Sequence, residues 1–130
     1  MAESFRVLAS GGMVVVRTLA PEDVGERVPE RYLPSMAQAD AARMPALGAI
    51  ERWLREGGFD EPTTRVVLRN KVLDLADEER QLEVEARSRY PFISTAELEE
   101  GVRRMRADAE RRQGDWVDPR PTTFLAAGKP

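Results

Sequence analysis

The apolar positions of this chain fall into short blocks whose spacing changes from one block to the next. Phe5, Val7 and Leu8 predict the last turns of a helix, which Gly11-Gly12 ends, because glycine tolerates the left-handed backbone that helix ends need. Met13-Val14-Val15-Val16 is a run without polar interruption, rich in β-branched residues, and reads as a strand buried on both faces. Arg17 and Thr18 close it, and Leu19 to Asp23 turn the chain. Val24 to Pro34 is irregular and reads as a loop with at most one helical turn. Ser35 then caps a short helix through Ala42. Pro45 suits a first helical position. Leu47, Ile50 and Leu54, with Trp53 beside them, form the apolar face of an amphipathic helix that Gly57-Gly58 stops.

Thr63 to Arg69 predicts a second strand, with Thr64, Val66 and Leu68 on one face. Strand, helix and strand in this order make a βαβ unit with a right-handed crossover and parallel strands. The second half is mostly helical. Asp74 or Asp77 caps a helix running to about Ser88. Ser94 and Glu97 have the spacing of a capping box, and Ile93 and Leu98 that of a hydrophobic staple. Leu98, Val102, Met105 and Ala109 make a narrow apolar stripe on the helix that follows, which Gly114 ends. Thr122 to Ala127 predicts a third strand. A strand covered on both faces normally lies inside a sheet of about five or six. Three strands leave too few neighbours, so the pattern reads as one flank of a larger α/β sheet. The alternative is a small α/β domain whose long helices cover the strand.

Composition narrows the chemistry. The 130 residues suit one domain, residues 1–130, and the apolar fraction of 42% is enough for a modest core. The net charge is −3 with the signs mixed, which offers no electrostatic reason to seek nucleic acid. Cysteine and histidine are both absent. That removes disulfides, thiolate nucleophiles and zinc–thiolate sites, and with them the commonest general base and metal ligand. Neither a membrane-spanning run nor a signal-peptide core is found, so the expected address is the cytoplasm.

The stretch Arg6-Val7-Leu8-Ala9-Ser10-Gly11-Gly12-Met13-Val14-Val15-Val16-Arg17-Thr18 resembles the helix end, Gly-Gly turn and fifth strand of the class I S-adenosylmethionine-dependent methyltransferases of the type 11 kind. The family usually has Pro where this chain has Ser10. Leu54-Arg55-Glu56-Gly57-Gly58-Phe59 resembles the turn into the family's sixth strand. Thr123 to Pro130 resembles the antiparallel strand that ends many members. The resemblance covers nearly the whole chain and implies the C-terminal half of that fold: partial, Rossmann-like, with about three strands. For the complete enzyme it implies S-adenosylmethionine as cofactor and a small-molecule acceptor. The edge or apolar face that so few strands leave uncovered predicts a homo-oligomer, a homodimer above all, and a missing N-terminal half is the other expected partner. The family holds its cofactor on a glycine turn that follows a strand, where backbone can approach the ligand. Gly11-Gly12 and Gly57-Gly58 both precede strands, so no cofactor-binding residue is carried over. No bound cofactor is expected for this chain alone.

Six residues are candidates for substrate contact. Arg17 and Thr18 lie at the carboxyl end of the first strand, the rim that faces substrate in the family. Arg31, Tyr32 and Met36 occupy the segment after it, and Tyr90 the corner between the C-terminal helices. Each has a plain structural alternative: a solvated strand-end charge, a turn residue, a loop anchor or corner packing. Trp53 and Trp116 read as packing residues. Arg103, Arg104, Arg106, Arg111 and Arg112 alternate with Glu99, Glu100, Asp108 and Glu110, which favours local ion pairs on a wet helix face. Asp77, Glu78 and Glu79 read as charges that suit a helix N-terminus. Three functions remain: a methyltransferase portion, inactive alone, that supplies a sheet flank and part of the acceptor pocket; a non-enzymatic module that self-associates through its open sheet; and a small-molecule binder built from a degraded enzyme.

Overall fold

The structure is a computed structural model that describes residues 1–25, 27–88 and 90–130. It has a mixed α/β fold with three strands, as the pattern of elements predicts. Helix α1 (Ala2–Val7) leads into strand β1 (Met13–Thr18). A 3₁₀ turn (Pro21–Asp23) and helices α2 (Val28–Tyr32), α3 (Pro34–Arg43) and α4 (Leu47–Glu56) follow. Strand β2 (Thr63–Val72), helices α5 (Leu75–Ser88) and α6 (Thr95–Arg111), and strand β3 (Val117–Gly128) complete the chain. Among the described residues no helix is long and apolar enough to cross a membrane.

The sheet order is β1-β3-β2. The last strand lies between the other two and is antiparallel to β1, in a register that pairs Met13 with Gly128 and Thr18 with Thr123. The Asp60 N–H donates to the Gly128 carbonyl at 2.9 Å, and the Leu73 N–H to the Trp116 carbonyl at 2.8 Å. Partner numbers fall as those of β2 rise, so β3 is antiparallel to β2 as well. β1 and β2 therefore run the same way, but they are not neighbours. The expectation of a simple βαβ pair gives way to two strands with the chain's end between them.

Contacts gather into two compact units, one of Met1–Pro21, Met44–Leu68 and Pro121–Pro130, the other of Glu22–Arg43 and Arg69–Arg120. In the first, Ile50 and Leu54 of α4 pack with Phe59, Leu125 and Ala127, and Phe5, Leu8, Val14, Val16 and Leu47 close around them. The i, i+4 spacing of Ile50 and Leu54 puts both on one helix face, as the sequence predicts. Gly57 ends α4, and Gly58 takes the left-handed backbone that turns the chain toward Phe59. Pro45 lies outside α4, whose first residue is Leu47. The Lys129 ammonium donates to the carbonyls of Phe5 and Leu8, both at 2.8 Å, so the C-terminal segment holds the end of α1.

β1 corrects the expectation of a strand buried on both faces. Its residues alternate, with Val14, Val16 and Thr18 half-buried and Met13, Val15 and Arg17 exposed. Met13 is 64% exposed and Val15 55%. The run is uniformly apolar, but only the face toward α1 and α4 is covered.

In the second unit, Val28, Tyr32, Leu33, Met36, Leu73, Leu82, Tyr90, Met105 and Trp116 form one buried cluster. Ile93, Leu98, Val102 and Ala109 pack against it, so the predicted staple and stripe residues do face a core. A Cβ on Gly101 would meet the Tyr32 carbonyl at 2.7 Å, which is why α6 carries glycine where it crosses α2. Asp74 caps α5 by accepting the Asp77 N–H at 3.0 Å. The Ser94 hydroxyl caps α6 by accepting the Glu97 N–H at 3.1 Å. The capping box is not reciprocal, however. The Glu97 carboxylate accepts the Ser35 N–H at 2.8 Å instead, satisfying one of the orphan donors at the start of α3. One residue pair thus serves two helix ends. Ser94→Ala should cost about 1 kcal/mol, read as a lowered Tm by circular dichroism; an unchanged melt would show that this cap contributes nothing.

Candidate functional site

The second unit places Tyr32, Met36 and Tyr90 in the same buried cluster. Arg31 lies beside Tyr32 on α2 and is half-buried. Arg17 and Thr18 belong to the other unit. Arg17 is exposed, and the Thr18 hydroxyl donates to the Leu19 carbonyl at 3.2 Å.

Both tyrosine hydroxyls are committed to carboxylates. Tyr32 is 1% exposed and donates to Asp108 at 2.8 Å. Burial, then the Asp108 carboxylate, pushes its phenol up to about 12. The Arg111 guanidinium, and then the Tyr32 hydroxyl, hold Asp108 below the usual carboxylate range. Tyr90 meets Asp40 at 2.8 Å and accepts from Arg43 at 2.6 Å, while Arg43 also pairs with Asp40. A tyrosine held between a buried carboxylate and a guanidinium is a fixed post: it ties α3 to the corner before α6. Phe92, two residues on, is 58% exposed and meets Tyr90 edge-on.

The arginine run divides in two. Arg103 pairs with Glu100, Arg106 with Glu79 and Arg111 with Asp108, the wet ion-paired face the sequence predicts. Arg104 and Arg112 instead lie over aromatic rings, 5.8 Å from the centre of Tyr32 and 5.2 Å from that of Trp116. The two rings meet edge-on at 6.3 Å. Between α5 and α6 lies an open groove of about 600 Å³, with Leu98 and Val102 in its wall and Glu83, Arg87, Arg103 and Glu110 around it.

Sequence reasoning missed the buried acids of this unit. Glu30, Asp40, Glu78 and Asp118 are all nearly or fully buried. Each has a basic partner: Arg27 lies 3.5 Å from Glu30, and Lys71 bonds Glu78 at 2.5 Å. Arg43 pairs with Asp40, and Arg120 bonds Asp118 at 2.9 Å. Glu78 lies in the first turn of α5, as the sequence predicts, and is also the buried end of an ion pair from β2 to α5. The one sequence signal was the alternation at Trp116-Val117-Asp118, where period 2 puts the acid on the same face as the tryptophan. Glu30 has no hydrogen bond to either oxygen. Burial pushes its carboxyl up, Arg27 opposes this, and Asp40 and Asp118 add to it.

Among the described residues no group of acidic side chains is placed to hold a metal ion. The glycines with left-handed backbone are Gly11, Gly25, Gly58 and Gly114. None of the four joins the end of a strand directly to the start of a helix.

No family model matches the chain, and no curated protein matches it. One solved structure to which it is similar is phosphoethanolamine N-methyltransferase 2 of Haemonchus contortus, in complex with phosphomonomethylethanolamine and S-adenosylhomocysteine. The identity is 19% and the TM-score 0.35, over 99% of this chain and 29% of that one. The chain thus spans less than a third of that protein's length.

Glu30 gives this unit a definite pH response. Its folded pKa lies above its unfolded one, so its contribution is fully present below the unfolded value and is lost as pH rises through the folded value. Glu30→Gln should therefore raise Tm at pH 7, with the gain shrinking toward pH 4. Melts across that range check it, and a gain that grows on acidification would refute the assignment.

Proposed function

We propose that this chain is the C-terminal portion of an S-adenosylmethionine-dependent methyltransferase domain, supplying a sheet flank and part of the acceptor pocket and transferring no methyl group by itself. The observation that carries the reading is the last strand. β3 lies antiparallel to β1, which is the role the resemblance assigns to the segment Thr123 to Pro130. The Gly-Gly turns at the starts of β1 and of the approach to β2 support it too. Methyl transfer is chiefly a matter of holding acceptor and donor in line, so a portion that only shapes one wall can still set specificity. Arg17, Thr18, Arg31, Tyr32, Met36 and Tyr90 remain the proposed acceptor-side residues. Tyr32, Met36 and Tyr90 would act by shaping the wall, since they are buried and the two hydroxyls already have partners. The proposed setting is cytoplasmic, with a complementary N-terminal portion or a second copy as partner.

A second reading is favoured by β1. An apolar strand at the sheet edge, with its outer side unpaired by any other strand of the sheet, fits a non-enzymatic module that self-associates.

Titration calorimetry with S-adenosylmethionine separates the two for cofactor binding. The chain alone should give no heat at high micromolar cofactor. Added to a methyltransferase N-terminal portion carrying the glycine turn, it should restore a one-to-one isotherm. A clear isotherm from the chain alone, or none from the combination, would count against the methyltransferase reading.

A further inference from the structure

We propose that β1 is a homodimer interface, on which a second copy of the chain adds its own β1 antiparallel, about a two-fold axis at Val15. This deepens the self-association reading and rests on it.

The sheet has two edges, β1 and β2, and they are differently protected. β2 carries Arg65, Arg69 and Lys71, and cations on an edge strand discourage further pairing. β1 carries Arg17 as its one charge, beside Thr18 at its end, and before them reads Met-Val-Val-Val. The occupant of this edge must therefore be extended, about six residues long, apolar and free of charge along most of its length. β1 itself has that composition, and it is present at equal concentration by definition.

Backbone polarity then sets the register. The Lys129 N–H donates to the Gly12 carbonyl at 2.7 Å, so Gly12 points toward β3. In an antiparallel ladder alternate residues bond the same neighbour. Counting in twos, Val14, Val16 and Thr18 also point toward β3. The N–H and C=O groups of Met13, Val15 and Arg17 point to the open edge. A second copy must therefore match odd residues with odd residues, which also keeps the covered and open faces continuous across the junction. Placing Val15 opposite Val15 of the other copy overlaps five of the six residues, Met13 to Arg17; an axis at Val16 would overlap as many but bring the two Arg17 side chains closer. The axis at Val15 sets Arg17 against Met13 of the other copy, so the two guanidiniums do not face each other. The two exposed valines, each 55% accessible, then become a cross-strand pair on the open face. The contact is isologous, as closed two-fold dimers require. Two three-stranded sheets become one of six strands.

The chain has no cysteine, which makes the register directly testable. Mass is measured by light scattering over a hundredfold range of concentration, for the wild type, for Val15→Lys and for Val66→Lys on the opposite edge. Single variants Val14→Cys, Val15→Cys and Val16→Cys are then oxidised under the same conditions. The wild type and Val66→Lys should reach twice the mass of one chain, and Val15→Lys should stay at one. Val15→Cys should cross-link to a disulfide dimer. Val14 and Val16 sit opposite each other rather than themselves, which leaves like positions too far apart for a disulfide. Circular dichroism checks that each variant keeps its helices, and the smaller cysteine changes still test the register should the lysine variant fail to fold. A constant mass of one chain would overturn the proposal, as would dimers that survive Val15→Lys in a folded chain. Cross-linking at Val14 or Val16 in place of Val15 would overturn it too. None of these results depends on cofactor, so a monomer that needs an N-terminal portion to bind S-adenosylmethionine would remove the dimer and leave the methyltransferase reading standing.

Discussion

β1 and β2 share no hydrogen bonds. Each is held in the sheet by β3, the last strand of the chain, which lies between them. No sheet exists until residues 117–128 have arrived, although both outer strands precede them. Every ladder contact in this sheet is therefore long-range in sequence: Met13 waits for Gly128 and Thr18 for Thr123. Closing such distant pairs costs loop entropy before any contact repays it. The covered face of β3 offsets that cost, since Leu125 and Ala127 are buried among Ile50, Leu54 and Phe59. The C-terminal segment then reaches the first helix, where Lys129 takes the carbonyls of Phe5 and Leu8. In this unit the two ends of the chain are stabilised together.

The other unit is organised by polar pairs set into an apolar cluster. Tyr32 and Tyr90 are core residues whose hydroxyls are fixed by Asp108 and Asp40. Lys71 with Glu78 and Arg120 with Asp118 bring charge into the interior only as pairs. Such pairs contribute little net stability, because desolvation offsets most of their attraction, but breaking one leaves a buried charge uncompensated. Lys71 with Glu78 joins β2 to α5, and the Tyr32 bond to Asp108 joins α2 to α6. Glu97 shows the same economy: its amide is capped by Ser94 while its carboxylate caps the start of α3.

This unit's tyrosines are occupied, its buried acids are paired with arginine or lysine, and the chain contains neither histidine nor cysteine. What it offers is shape: an aromatic pair beneath two guanidiniums, and a groove between α5 and α6. A wall that shapes a pocket needs no more than this, and a unit that only binds or pairs needs no more either.

Local features were legible in the sequence because their causes are local. Ser94 caps α6, Asp74 caps α5, Gly57-Gly58 stops α4, and the Ile50 and Leu54 spacing marks its buried face; each follows from groups within one or two helical turns. The α/β class and the three strands were legible for the same reason. What only the tertiary structure decided was everything that depends on a distant partner. Val14 and Val15 are equally apolar, and nothing nearby says that one meets α4 and α1 while the other stays exposed; sheet order settles it. Glu97 has the spacing to return to Ser94, but a free amide at Ser35, 62 residues away in sequence, competes and wins. Glu30, Glu78 and Asp118 look like surface acids because burial is a property of the packed core, and whether a carboxylate can enter that core depends on which base arrives beside it.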